Sequence, residues 1–176
     1  MSSAAVIYQS KYGSAKQYAE WIAQALDAPL FERGRVKPPQ LLDYDLVIYG
    51  GGVYAGSIAG VDLVAKNPCK NLILFTVGLF DPQTADYTDL LKALPAEKRQ
   101  TAKVFHLRGG LDRQKLGLVH KGIMAVVKKT LAKKDPSLLS NEDKAMLESL
   151  GGKVDYTDKD SIAPLVAFAR EQLAQI

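Results

Sequence analysis

The chain alternates short apolar runs with longer stretches in which apolar residues recur at helical spacing. The first run is Ala4 to Tyr8, and the stretch from Ser14 to Leu26 follows it across a short loop. This alternation is typical of a parallel sheet covered by helices. It predicts an α/β fold with five strands, which are expected to begin near Ala4, Leu30, Tyr44, Asn71 and Lys103.

Helices are expected in the segments between these strands. Ser14 is a suitable N-cap for the first helix, because its hydroxyl can accept a free backbone N–H. Further helices are predicted from about Ser57 to Lys66 and from Tyr87 to Leu94. The last helix is expected to start near Ser161, with Pro164 in its first turn, where a missing N–H is tolerated.

The connection between the fifth strand and the last helix is much longer than the few residues that such a connection needs. Its first part predicts a basic amphipathic helix, and a second short helix is expected from Asn141 to Leu150. One face of the basic helix is apolar, with Leu116, Val119, Ile123, Val127 and Leu131, and the other carries Lys121, Lys128, Lys129 and Lys133. The sequence therefore predicts a single domain, 1–176, with a basic helical insertion at 113–150.

The positive charge of the chain is concentrated in this insertion. Residues 113–134 hold seven of the 23 basic residues and no acidic one, which leaves 16 basic against 19 acidic residues elsewhere. A partner attracted by this charge is therefore expected to contact this segment and not the surface as a whole. A solvated face, a membrane surface and a docking patch for an acidic substrate or redox partner are all compatible with it. Nucleic acid is not expected, since no aromatic residues are interleaved with the charges.

Composition excludes several classes of protein. The single cysteine, Cys69, cannot form an internal disulfide, a Cys-x-x-Cys pair or a four-cysteine zinc site, which favours a reducing cytoplasmic compartment. No signal-peptide pattern is present, and no apolar run reaches the roughly 18 residues of a membrane span. The two histidines have no neighbouring metal-ligand pattern, so no metal site is expected.

Ligands of an open parallel sheet bind at the carboxyl ends of the strands, where the strand order reverses. The loops at 9–15, 50–57, 76–82 and 108–113 fall there. The first offers hydroxyls, a flexible glycine and the free N–H groups of a helix start, which suit a phosphate. The second and third combine glycines with an aromatic residue, an arrangement that suits a flat ring.

Other nucleotide-binding classes are excluded by spacing. The first strand is not followed by G-x-G-x-x-G, and G-x-x-x-x-G-K-[ST] is absent from the chain. A phosphorylated receiver domain of the same topology is excluded because the third strand ends in Ile48-Tyr49-Gly50, without an aspartate to accept a phosphate.

These residues resemble the flavodoxin family. Tyr8 to Ala15 is similar to its phosphate loop, and the 50–57 and 76–82 loops are similar to its two flavin-flanking loops. The likeness is greatest to the branch that contains menaquinone-dependent protoporphyrinogen oxidase, because the insertion follows the fifth strand and the segment from Gly151 to Glu171 is similar to the end of that branch.

The resemblance implies a doubly wound five-stranded sheet in the order 2-1-3-4-5 and an FMN cofactor that carries the redox chemistry, so no catalytic side chain is required. The expected cofactor-binding residues are Ser10, Lys11, Tyr12, Gly13, Ser14 and Ala15 around the phosphate, with Gly51, Gly52, Val53, Tyr54, Ala55, Gly56, Thr76, Val77, Gly78, Leu79, Phe80 and Asp81 around the ring. Tyr54 is expected to cover one face of the ring.

Two functions follow from this resemblance. The first is an oxidoreductase that passes electrons from a tetrapyrrole precursor to flavin and on to a quinone, with 113–134 in contact with an acidic substrate or the inner face of a membrane. The second is an electron carrier between protein redox partners, without a small-molecule substrate of its own. Turnover with a substrate and a quinone separates the two.

Overall fold

The computed structural model describes all 176 residues, and a parallel sheet of five strands lies at its centre. In chain order the strands of this sheet and one short added strand are β1 (Ala4–Gln9), β2 (Leu30–Glu32), β3 (Leu46–Tyr54), β4 (Ser57–Ile58), β5 (Leu72–Gly78) and β6 (Lys103–Arg108). The spatial order is β2-β1-β3-β5-β6, with β4 paired antiparallel to β3. Because β4 lies off this path, the five parallel strands have the predicted 2-1-3-4-5 order, and the predicted fold class is confirmed.

Helices cover both faces of this sheet. They are α1 (Ser14–Leu26), α2 (Asp62–Lys66), α3 (Ala96–Thr101), α4 (Leu118–Ala132), α5 (Asn141–Ser149) and α6 (Ala163–Gln175). Successive strand residues point to opposite faces, so the central strand β3 contributes Ile48 to a core shared with α1 and α6, and Tyr49 to a second core shared with α2. No helix is both long and apolar enough to cross a membrane.

The triple glycine after Tyr49 does not form the predicted loop. Gly50, Gly51 and Gly52 continue β3, which runs on to Tyr54 before a tight turn leads into β4. A Cβ atom on Gly50 would lie 1.8 Å from the ring of Phe75, and one on Gly51 would lie 2.6 Å from a methyl group of Ile58. The first two glycines are therefore required by packing against protein side chains.

Two predicted helices are shorter than expected. The segment predicted as a helix from Ser57 is extended at Ser57–Ile58, because it pairs with the end of β3, and helix begins only at Asp62. In the segment from Tyr87 to Leu94, only a 3-10 turn at Leu90–Ala93 forms, and Pro95 precedes the separate helix α3.

Ser14 is the first residue of α1 and not its N-cap. Gly13 holds the N-cap position with a φ of 103°, a left-handed conformation that favours glycine. The Ser14 hydroxyl instead accepts the backbone N–H of Gly110 at 3.1 Å. The start of α1 is therefore tied to the segment that follows β6.

The insertion is closed at its base by a two-stranded antiparallel ribbon of β7 (Gly110–Asp112) and β8 (Lys153–Asp155). Between these strands α4 and α5 project over one edge of the sheet. Leu131 is the only residue of α4 that is buried. Of the residues predicted on the apolar face, Leu131 is buried and Val127 faces the domain, whereas Val119 is 76% exposed and Ile123, at 47%, lies at the boundary. His120 and Met124, which were not predicted there, also face the domain.

Candidate cofactor site

A cleft of about 300 Å³ lies at the carboxyl ends of β1, β3 and β5, with α4 above it. This is the lower end of the size range of small-molecule sites. Fifteen of its 22 lining residues are hydrophobic. The cleft therefore suits a largely apolar, flat ligand that reaches the polar loop after β1.

The structure brings together residues from all three predicted loops. Those that line the cleft are Tyr12, Ser14, Ala15, Gly52, Val53, Tyr54, Ala55, Gly56, Val77, Gly78, Leu79 and Phe80. The other predicted residues, which do not line the cleft wall, are Ser10, Lys11, Gly13, Gly51, Thr76 and Asp81. Ser10, Lys11 and Gly13 belong to the loop that ends at Ser14, whereas the carboxylate of Asp81 is used locally to accept the N–H of Gln83 at 2.9 Å.

Several lining residues were not among the predicted ones. They comprise Tyr87 and the β6–β7 segment with Gly109, Gly110 and Leu111, and from the insertion Leu116, His120, Ile123, Met124, Val127 and Met146. The insertion residues on α4 recur at helical spacing, so the sequence did contain a signal for them. It did not show that this face covers a cleft.

The loop between β1 and α1 has the geometry of an anion site. The Ser10 hydroxyl accepts the N–H of Gly13 at 3.0 Å, which holds the loop in a tight turn. The first turn of α1 points its backbone N–H groups out of the helix, where they have no partner within it. Ala15 offers no hydroxyl, so the aliphatic hydroxyls of the loop are those of Ser10 and Ser14.

Tyr54 joins the end of β3 to this loop. Its hydroxyl accepts the backbone N–H of Lys11 at 3.1 Å, and its ring lies edge to face with Tyr12 at a centroid distance of 5.7 Å. Burial raises the pKa of the Tyr54 hydroxyl above its usual value of 10.0, so the group is neutral near pH 7. The backbone N–H of Lys11, within the candidate anion loop, is thus bound by a neutral oxygen.

His120 holds α4 over the same loop. Its Nδ1 atom is hydrogen-bonded to the Tyr12 hydroxyl and lies 3.1 Å from the Lys11 Nζ. Its ring stacks on Tyr54, with a centroid distance of 6.3 Å and an interplanar angle of 21°. His120 is therefore the polar contact between the insertion and the candidate phosphate loop.

A second histidine supports the cleft from behind. His106, on β6, lies 2.6 Å from the buried Thr76 hydroxyl and stacks on Tyr87 at 4.2 Å. The Tyr87 hydroxyl donates to the Phe80 carbonyl at 3.0 Å, so this stack fixes the loop after β5. Burial lowers the pKa of His106 below its usual value, which favours the neutral imidazole.

A polar hollow lies beside the cleft, at the base of the insertion. Its lining has no hydrophobic residue and consists of Asp112, Arg113, Gln114, Lys121, Gly152 and Lys153. Three cations thus meet one carboxylate, and the Asp112 carboxylate already accepts the Gln114 N–H at 3.0 Å. The hollow is suited to a small anionic group. No group of three or more potential metal ligands occurs in the structure.

A family model for the flavodoxin domain matches residues 5–137, about three quarters of the chain. The chain therefore belongs to the flavodoxin domain family. No curated protein matches it significantly in sequence. The match begins at the second residue of β1, includes the candidate phosphate loop and the other strands of the parallel sheet, and extends into the insertion through α4.

Solved structures with a similar fold include three flavoproteins. A WrbA-like flavodoxin from Agrobacterium tumefaciens is 18% identical, with 98% of this chain and 99% of that chain covered and a TM-score of 0.46. Oxidised flavodoxin 2 from Bacillus cereus is 18% identical, covers 61% of this chain and 84% of its own, and has a TM-score of 0.47. A Lactobacillus acidophilus flavoprotein in complex with FMN is 17% identical, with coverage of 61% and 93% and a TM-score of 0.39.

Family membership supports FMN as the cofactor, and the residues of the site fit it. The phosphate would meet the Ser10 and Ser14 hydroxyls and the N–H groups at the start of α1, a donor set suited to a dianion. The ring would lie between the segments 52–56 and 77–80, whose backbone groups suit its polar edge and whose apolar side chains suit its faces.

Proposed function

We propose that the chain binds FMN in this cleft and functions as an oxidoreductase that takes electrons from a tetrapyrrole precursor and passes them to a quinone. Membership of the flavodoxin domain family supports FMN binding and electron transfer. Bound FMN supplies the redox chemistry, since its ring accepts and releases electrons. The protein binds the cofactor, orients the second reactant and excludes water.

The position of α4 is the observation that favours an oxidase over an electron carrier. A carrier that exchanges electrons with protein partners needs its flavin edge accessible to a protein surface. Here α4 covers the cleft with His120, Ile123, Met124 and Val127, and Leu116, just before the helix, also lines it. An apolar cover of this kind favours a flat organic reactant, which can enter beside α4, over a docked protein.

The polar hollow supports an acidic reactant. A tetrapyrrole precursor is a large apolar ring system that carries carboxylates. Its ring would pack against the apolar cover, and its carboxylates would reach Arg113, Lys121 and Lys153, which line the hollow next to the cleft. Opposite charges at partly exposed sites contribute modestly to affinity and strongly to orientation.

The alternative is a flavodoxin-type electron carrier between protein redox partners. The basic surface of the insertion favours this function, because it would attract an acidic protein. The two functions make different demands on α4: it is part of the substrate site in the oxidase and an obstacle in the carrier.

FMN binding is tested by titrating the purified chain with FMN and following the quenching of flavin fluorescence. We expect saturable binding at one FMN per chain, and Tyr54→Ala is expected to weaken it roughly tenfold through loss of aromatic contact. Tyr44→Ala, which changes a tyrosine outside the cleft lining, is the matched control and should bind as the parent does. Absence of saturable quenching in the folded parent would refute the cofactor assignment.

The reaction is tested with the FMN-loaded protein, protoporphyrinogen and a water-soluble menaquinone analogue. The oxidase predicts steady turnover, and Lys121→Gln with Lys153→Gln should raise KM severalfold with little change in kcat. Lys129→Gln, on the same helix but outside the hollow, is the control. A loaded protein without turnover that reduces a protein acceptor would instead establish the carrier.

A further inference from the structure

The helix α4 has a second apolar face, which points away from the cleft. Eight large hydrophobic residues of the whole chain are exposed, and four of them lie on this 15-residue helix. These are Leu118, Val119, Ile123 and Val126, with exposures of 89%, 76%, 47% and 66%. A concentrated apolar surface of this kind on a monomer marks an interaction site.

The two faces of α4 are distinct in position. The inner face, with His120, Met124 and Val127, borders the cleft. The outer face begins at Leu118 and continues one and two turns later at Gly122 and Val126. Ile123 lies at the boundary, because it lines the cleft and is also about half exposed. The outer face therefore extends to the mouth of the cleft.

Basic residues flank this outer face on both sides along the chain. Arg113 and Lys115 precede α4, and Lys128, Lys129 and Lys133 follow the apolar part of it. All of them are exposed, and no carboxylate occurs between Asp112 and Asp135. An exposed helix with an apolar face and an excess of lysine is typical of a segment that lies in a membrane interface.

The positive charge of the insertion favours an anionic lipid surface over a second copy of the chain as the partner of this face. A second copy of the chain would place one cluster of seven positive charges against another, with no acidic residue in either to offset the repulsion. An anionic lipid surface complements this face, because it offers negative charge to the lysines and an apolar layer to the side chains of Leu118, Val119 and Val126. Each lysine near such a surface strengthens binding by about 1 kcal/mol, or roughly fivefold.

We propose that the outer face of α4 docks the protein on an anionic membrane surface. Leu118, Val119 and Val126 enter the boundary between headgroups and acyl chains, and Lys129 and Lys133, which share this side of the helix, meet the lipid phosphates. This inference stands independently of the proposed function. If the proposed function also holds, Ile123 at the boundary places the mouth of the cleft at the lipid surface, where a lipid-soluble quinone is concentrated.

The experiment is flotation of the full chain with vesicles, carried out both with and without FMN. One set of vesicles contains phosphatidylcholine alone, and the other contains phosphatidylcholine mixed with phosphatidylglycerol. We expect binding to the mixed vesicles and little to the neutral ones. Leu118→Ser with Val126→Ser should weaken binding at least tenfold, since two exposed apolar side chains are lost. Lys129→Gln with Lys133→Gln should weaken it roughly 25-fold, at about fivefold for each lysine.

Leu42→Ser is the matched control, because Leu42 is a 45% exposed leucine in a 3-10 helix outside the insertion. It should bind vesicles as the parent does. All the substituted side chains are exposed, so the variants are expected to fold, and thermal melts verify this. Equal binding to neutral and anionic vesicles, or no binding to either, overturns the proposal. Self-association of the parent in sedimentation that Leu118→Ser abolishes also overturns it, in favour of a second copy.

These outcomes are separable from those of the proposed function. Flotation needs neither FMN nor substrate, so vesicle binding without FMN binding would support the docking face and refute the proposed oxidase. Turnover of substrate in solution without flotation would support the oxidase and refute the docking face.

Discussion

The Tyr54 hydroxyl and the Lys11 backbone N–H form a 3.1 Å hydrogen bond that joins the end of β3 to the candidate phosphate loop. A phosphate bound in this loop would compete for that N–H group. We therefore expect the hydroxyl of Tyr54 to oppose phosphate binding, while its ring contributes to the wall of the cleft. The two effects can be separated by substitution.

Tyr54→Phe is expected to bind FMN up to about fivefold more tightly than the parent, because the competing hydrogen bond, of about 1 kcal/mol, is removed. The comparison with Tyr54→Ala, which also loses the ring, isolates the contribution of the aromatic contact. Dissociation constants from fluorescence titration measure both. If Phe and Ala weaken binding equally, the ring of Tyr54 does not contact the flavin.

Gly50 tests the role of the glycine run. A Cβ atom there would lie 1.8 Å from the ring of Phe75, so Gly50→Ala is expected to destabilise the fold by about 3 kcal/mol or to prevent folding. Gly34→Ala is the control, because nothing lies within 4 Å of its Cβ position and its φ is not in the left-handed region. Urea unfolding measures both free energies. Equal stability of the two variants would show that the strand shifts to accommodate the methyl group.

This packing also shows why the sequence predicted the glycine run incorrectly. Three successive glycines have low strand propensity, and locally they indicate a loop. The pairing of β3 with β1 and β5 on either side, with Phe75 filling the space above Gly50, overrides that preference. Such a constraint is tertiary, so a local pattern cannot reveal it.

Other parts of the molecule followed from local patterns. The bounds of α1 agree with prediction, because apolar periodicity determines them. The order of the five parallel strands agrees with what the resemblance to flavodoxins implied, since periodicity alone does not determine spatial order. The loop segments after β1, β3 and β5 could be located from the strand pattern, because the carboxyl ends of parallel strands share one edge. The lining from α4 and the role of His120 were not, because they depend on how the insertion folds back over that edge.

The free energy of unfolding is expected to depend on pH through the titration of His106. Its pKa in the folded protein lies below the unfolded value of about 6.5, so the unfolded chain binds more protons between these two values. The contribution of His106 to stability is therefore fully present above the unfolded pKa, and it is lost as pH falls toward the folded pKa.

Replacement of His106 by glutamine removes this titration and retains a polar partner for the Thr76 hydroxyl, which lies 2.6 Å from the imidazole. The free energy of unfolding of His106→Gln should change less steeply than that of the parent between about pH 5 and 7. Urea unfolding over this range provides the measurement. Parallel curves would show that His106 has the same pKa in both states.

The attachment of α4 to the domain depends on His120. Only Leu131 of this helix is buried, whereas His120 contacts the Tyr12 hydroxyl, the Lys11 Nζ and the ring of Tyr54. His120→Ala should therefore increase the exchange rates of the α4 backbone amides about fivefold or more, the effect of losing one hydrogen bond of about 1 kcal/mol. Lys121→Ala, at the next position on the same helix, removes a side chain without these contacts and should leave the rates unchanged. Hydrogen exchange measured peptide by peptide distinguishes the two variants, and if they exchange alike, α4 is held by its apolar contacts with the cleft and not by His120.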